Sequence, residues 1–148
     1  MKQSTKIDYE HYDSLQDLPA QDYALVQAAR AATESAYAPY SHFKVGAAAR
    51  LHSGEIISAA NCESEVFPSG ICAERSVLYY AEAIHSDDPV VALAIASDPS
   101  ERECYPCGAC RQVILDVQRR QGTAIRLIMS GNGTASIVDN AEALLPFT

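Results

Sequence analysis

Two short cysteine-bearing stretches constrain the fold of this chain more than anything else in it: Ser69-Gly70-Ile71-Cys72-Ala73-Glu74-Arg75 and Pro106-Cys107-Gly108-Ala109-Cys110-Arg111-Gln112. In each, Gly or Pro precedes a run with helical spacing, so Cys72 and Cys107 fall at or near a helix N-terminus. Unpaired backbone N–H groups and the helix dipole favour a thiolate there. Cys107 and Cys110 lie three residues apart and share a face within one helical turn. A third sulfur, from Cys72 on another helix, would complete a tripod. Zinc takes tetrahedral sulfur and nitrogen ligands at roughly 2.3 Å for Zn–S, and three protein ligands leave a fourth position for water or substrate. Glu74, two residues past Cys72, points differently from that sulfur and is the natural carboxylate to move protons beside such a centre.

Other uses of these cysteines stay open at this point. A pair three apart at a helix start is often a structural zinc site, and Cys104, Cys107 and Cys110 form a C-x-x-C-x-x-C run of the sort that holds an iron–sulfur cluster. Cys104 precedes Pro106, however, and so falls outside the helical turn. Cys62 reads as a small buried thiol, and His42 and the other histidines as non-ligands. Five cysteines, an odd number bunched near helix starts, suit metal ligation better than a disulfide framework.

The length of 148 residues suits one domain that can bury a full core, and the 48% hydrophobic content agrees. With 11 Lys and Arg against 19 Asp and Glu, the net charge is -8. An acidic chain without a basic run lacks the electrostatic footprint that holds phosphate backbones, so nucleic acid is disfavoured as a partner and a small neutral substrate is favoured. No leader and no apolar run of about 18 residues is read, so neither a membrane partner nor an oxidising compartment is expected, and the cytoplasm, where thiols stay reduced, is.

Residues 1–21 are polar and read as an N-terminal arm, with Ile7, Tyr9 and Tyr12 hinting at a short strand; residues 22–148 read as the domain proper. Asp22 to about Ala36 is helical, with Leu25, Ala28, Ala29, Ala32 and Ala36 on one stripe. Phe43–Leu51 and Glu55–Ala60 form a hairpin across His52-Ser53-Gly54, and the small residues Gly46 to Ala49 predict a close approach to that sheet, including contacts between subunits. Cys72 to about His85 reads as a buried helix through Val77, Leu78, Ala81 and Ile84. Val90–Ala96 is a central strand, Pro106 or Cys107 to about Arg119 the second cysteine helix, Ile125–Met129 a buried strand, and Ala135–Val138 the last strand, with Asn140 capping a short helix. The fold class is α/β: a three-layer α/β/α sandwich around a mixed five-stranded sheet.

Tyr40-Ser41-His42-Phe43 leading to Val45-Gly46-Ala47-Ala48, Asn61-Cys62-Glu63, Ile71-Cys72-Ala73-Glu74-Arg75 and Pro106-Cys107-Gly108-Ala109-Cys110-Arg111-Gln112 closely resemble the small homotetrameric, three-cysteine form of cytidine deaminase, from about Asp22 to Pro146. The cysteine and glutamate motifs mark the wider zinc deaminase superfamily. Phe43 and the Asn61 and Glu63 pair narrow the likeness to enzymes of free nucleosides. The resemblance implies one zinc per chain on Cys72, Cys107 and Cys110, with Glu74 as proton shuttle. It also implies Asn61 and Glu63 on ribose hydroxyls, Phe43 against the pyrimidine, Ala73 among the substrate contacts, and Arg75 hydrogen-bonded to ligand sulfurs. That last contact has a physical motive: three thiolates around a divalent ion leave a net charge of about -1, which a nearby cation offsets.

The activity so implied is hydrolytic deamination of cytidine and deoxycytidine in pyrimidine salvage, by a homotetramer with shared active sites. The chain departs from the family pattern at Ser64-Glu65, where Asn-Ala is common, at Phe67, where many relatives carry Tyr, and at Phe147-Thr148, where relatives supply a slightly later aromatic. Rival readings are a deaminase of another aminated heterocycle, such as a blasticidin S-like nucleoside or a free base, and a non-catalytic zinc-stabilised module.

Overall fold

The computed structural model describes residues 1–148. Six strands form one mixed sheet: β1 (Glu10–Tyr12), β2 (Lys44–Leu51), β3 (Ile56–Ala60), β4 (Val90–Asp98), β5 (Arg126–Gly131) and β6 (Thr134–Val138), in the order β1-β6-β5-β4-β2-β3. Only β4 and β5 run parallel, joined through a crossover helix; every other neighbouring pair is antiparallel. Helix α1 (Ala20–Ala32) covers one face, and α2 (Ala73–Ile84) and α3 (Gly108–Gln121) cover the other, so the α/β/α sandwich expected from the sequence is present.

The alternation of side chains along the central strands sorts the core into two halves. Ala92, Ala94, Ala96 and Ile128 face α1 with Leu25, Val26 and Ala29, while Leu93, Ile95, Leu127 and Met129 face α2 and α3 with Val77, Leu78, Ile114 and Leu115. A strand buried on both faces reads as a continuous apolar run, and this is why β4 was legible. The small residues of β2 serve the chain's own helix: a Cβ on Gly46 would come within 2.0 Å of the Ala29 carbonyl oxygen, so α1 lies directly on the backbone of β2. The contact between subunits read from these residues is therefore a contact within one chain.

The sheet has six strands where five were expected. The additional one, β1, is three residues long and pairs with β6 through Glu10–Ile137, His11–Ser136 and Tyr12–Ala135. Three residues are too few to display a period. What holds β1 is a cation elsewhere: Arg126 on β5 contacts Glu10 at 3.1 Å, the buried Asp22 at 2.9 Å, and Asp139. Asp22 thus ties the start of α1 to the sheet in addition to its favourable place near a helix N-terminus.

Two expectations about side chains need correction. Ile84, read as inward, is 62% exposed together with Tyr79 and Tyr80, because α2 is buried on one side only. Cys62, read as buried, is exposed: it follows β3 in an extended loop whose backbone bonds Ile71 on one side while its thiol is left in the open.

The topology brings three strand termini together at one end of the sheet. Strands β3 and β4 both finish there, and β2, antiparallel to both, begins there, with Gly46 opposite Ala60 and Lys44 opposite Asp98. The loop after β3 leads into the N-terminus of α2 and the loop after β4 into that of α3, both on the same face.

Candidate metal centre and substrate cavity

Cys72 and Cys107 are the N-cap residues of α2 and α3, with extended backbone, and Cys110 lies one turn into α3, fully buried. The three sulfurs lie within 4.8 Å of one another. Because each helix starts with its unpaired N–H groups turned toward the same point, the site is electropositive before any metal enters. Cys104 is not part of this cluster, so the three-sulfur group draws on Cys72 and not on the C-x-x-C-x-x-C run.

Arg75, one turn below Cys72, donates from Nη2 to Cys72 Sγ at 3.4 Å, and its Nε is buried with no oxygen or nitrogen partner. A guanidinium half-buried against sulfur favours a thiolate there. In the metal-free chain the Cys72 thiol is pulled down to about 5, chiefly by hydrogen bonding to Cys110 and then by Arg75 against the opposing effect of burial. Cys110 is pushed well up by the same hydrogen bond and by burial. Cys104, by contrast, is driven up to about 11 by burial and by the Glu74 carboxylate, and stays a neutral thiol. Three soft sulfur donors, a compensating cation and an exposed Cys107 at the cavity side are the donor set and open corner that one Zn²⁺ per chain requires.

Glu74 follows in the first turn of α2 and is 4% exposed. Burial, with the Cys72 thiolate adding to it, pushes its carboxyl up to about 7. A carboxylate near neutrality inside a cavity is suited to both take and give a proton.

The cavity that opens from this centre has a volume of about 820 Å³ and is lined by Cys72, Glu74, Arg75 and Cys107 at the metal end and by Phe43, Asn61, Cys62 and Glu63 elsewhere. Phe43, 41% exposed, stands at the start of β2. Asn61 holds that strand end in place: its Oδ1 accepts from Val45 N–H at 2.8 Å and its Nδ2 donates to the Phe43 carbonyl at 3.0 Å. Glu63 Oε1 accepts from the Tyr40 and Ser41 N–H groups at 2.9 and 3.1 Å, bonds to Ser41 that hold its carboxyl below the usual range. Ala73 does not line the cavity: its methyl group is in the core, leaving only its backbone near the site. Sequence reasoning passed over Tyr105, which also borders the cavity. An aromatic immediately before Pro106-Cys107 was the available signal.

Comparison with known proteins agrees with this geometry. A curated cytidine deaminase from Halalkalibacterium halodurans is 43% identical over 93 residues, covering 63% of this chain and 69% of its own. A blasticidin-S deaminase from Bacillus cereus is 33% identical over 106 residues, covering 68% of this chain and 75% of its own. A crystal structure of cytidine deaminase from Burkholderia pseudomallei superposes with a TM-score of 0.76 at 35% identity, covering 85% of this chain and 97% of that one. Residues 19–124 match the profile of the cytidine and deoxycytidylate deaminase zinc-binding region, and the chain belongs to that family of zinc-dependent deaminases.

Proposed function

We propose that this chain is a hydrolase that deaminates cytidine and deoxycytidine to uridine and deoxyuridine with release of ammonia. The observation that carries the reading is the opening of a three-sulfur centre and a buried, near-neutral Glu74 into one cavity that also holds Phe43, Asn61 and Glu63. Cys72, Cys107 and Cys110 would hold the zinc ion, which when bound would make water acidic enough to attack at neutral pH. Glu74 takes one proton from the attacking water and passes it to ring nitrogen 3, then takes the proton of the new hydroxyl on carbon 4 and gives it to the amine, so that the carbonyl forms, the C–N bond breaks and ammonia leaves. One carboxylate thus does the work of base and acid. Arg75 offsets the surplus negative charge of three thiolates. Phe43 lies against the pyrimidine, Asn61 and Glu63 hydrogen-bond the ribose hydroxyls, and the backbone N–H of Ala73, free by its place in the first helical turn, donates to the base.

On this reading the enzyme acts in pyrimidine salvage in the cytoplasm. No helix is long and apolar enough to cross a membrane. Residues 1–21 form an N-terminal arm on a zinc domain of residues 22–148. The working unit is a homotetramer whose subunits share active sites: Phe67 borders the cavity yet is 92% exposed, and Tyr79, Tyr80 and Ile84 leave α2 apolar toward the outside. A neighbouring subunit covers both.

The blasticidin-S deaminase relative supports a second reading, in which the cavity takes a larger aminated nucleoside. Ammonia release by the zinc-loaded protein from cytidine, deoxycytidine, cytosine and blasticidin S separates the two, with cytidine and deoxycytidine expected to lead. Release from none of the four, with tetrahydrouridine failing to bind, would leave a zinc-stabilised module in place of an enzyme.

A further inference from the structure

Beside the substrate cavity lies a second one of about 690 Å³, bordered by Tyr9 and His11 of the N-terminal arm and by Glu103, Thr134 and Ser136. Tyr105 is the one residue that borders both cavities. It stands two residues before Cys107 in the chain and is 53% exposed.

The ring is held in place. Tyr105 O–H donates to Glu103 Oε2 at 3.0 Å. Glu103 is itself only 7% exposed, and its Oε1 accepts from Thr134 Oγ1 at 2.7 Å and lies 3.5 Å from His11 Nδ1. The backbone beneath has no room to shift: Cys104 N–H donates to the Ser130 carbonyl at 3.0 Å, and a Cβ on Gly131 would come within 1.9 Å of the Arg102 carbonyl oxygen. A phenol tethered to a buried, multiply bonded carboxylate keeps one rotamer, so the ring is a fixed wall.

We propose that Tyr105 is a specificity-determining residue: its tethered ring closes the amine end of the substrate cavity against the second cavity and sets how large a group the exocyclic nitrogen can carry. This rests on the deaminase reading above, under which the carbon bearing the amine faces the sulfur centre. Glu103 is a positioning residue that acts through Tyr105. An N4-alkylated cytidine tests the wall directly, because water adds to the same carbon and the alkylamine leaves in place of ammonia.

The experiment compares kcat/KM for cytidine and N4-butylcytidine, read as uridine formed, in the zinc-loaded full-length enzyme and its variants. Tyr105→Ser is expected to narrow the preference for cytidine by about tenfold or more, the scale on which pocket walls discriminate alkyl groups. Tyr105→Phe, which keeps the ring and loses the tether, narrows it less. Glu103→Gln, whose amide oxygen still accepts from the phenol, keeps the wild-type ratio, whereas Glu103→Ala moves it toward that of Tyr105→Ser. An unchanged ratio in Tyr105→Ser overturns the proposal. Should that variant not fold, the same ratio in Tyr105→Phe, Tyr105→Trp and wild type overturns it equally. Absence of cytidine turnover in the wild-type enzyme would instead overturn the deaminase reading on which the inference stands.

Discussion

At the scale of single residues, Glu74 carries the most testable chemistry. Glu74→Gln is expected to lower kcat by at least about 10²–10⁴-fold, the usual worth of a positioned proton-transfer group, while zinc content per chain stays the same. Kinetics and metal assay on one preparation check both halves. The same substitution probes the burial of the carboxyl. Because the folded metal-free chain holds that proton up to about 7, well above the ordinary carboxylate range, the unfolded chain releases it first as pH rises. Stability from this group is fully present below about pH 4.5 and is lost as pH climbs to about 7, a difference of order 3 kcal/mol. Urea unfolding of metal-free wild type and Glu74→Gln across that window should show the variant gaining on wild type with rising pH. Arg75→Ala should leave the three sulfurs able to hold metal but move the acid limb of the pH–rate profile upward, since the surplus thiolate charge would then raise the pKa of the bound water. The grouping of these residues was legible because cysteine, glutamate and arginine sit at fixed offsets in two short stretches. The place of Tyr105 was not, because its tether runs through Glu103 to Thr134 and His11, which approach it only through the sheet.

Among elements, the contact between α1 and β2 and the attachment of β1 are opposite cases. Gly46 touches backbone, and backbone cannot rotate out of the way. Gly46→Ala is therefore expected to cost about 1–3 kcal/mol or more by overpacking, read as a lower urea midpoint with the slope preserved. The run of small residues signalled such a contact in advance; which partner it served was a matter of topology. For β1, two changes separate a buried pair from an exposed one. Arg126→Ala strands Asp22, whose side chain is 5% exposed, and should destabilise by about 3–5 kcal/mol. Glu10→Ala removes a half-exposed partner of the same cation and should cost under about 1 kcal/mol. Hydrogen exchange at residues 10–12 would read both, since those amides belong to the strand that the cation fastens. Helices α2 and α3 and strands β4 and β5 announced themselves through long periodic or continuous apolar runs. Strand β1 did not, because its stability lives in a charge cluster contributed by four separate segments.

For the whole molecule, the apolar side chains left outside are where the proposed tetramer can be tested. Tyr79, Tyr80 and Ile84 lie on the outer side of α2, and under the proposed tetramer Ile84→Lys is expected to shift sedimentation toward smaller species and to lower activity in step, because Phe67 would then lose the neighbour proposed to cover it. A fully active, stable monomer would remove the shared-site picture. The meeting of two helix starts at one end of the sheet has a further effect, on how the chain matures. The sulfurs at 72 on one side and 107 and 110 on the other are separated by the whole of β4, the strand through which the crossover and the hairpin are joined. A half-formed chain therefore offers only a two-toothed clamp, and the full grip exists once the central pairing is complete. Metal capture becomes a seal on the finished molecule, and a strong chelator should lower the melting temperature of the loaded protein while leaving that of the apoprotein where it was.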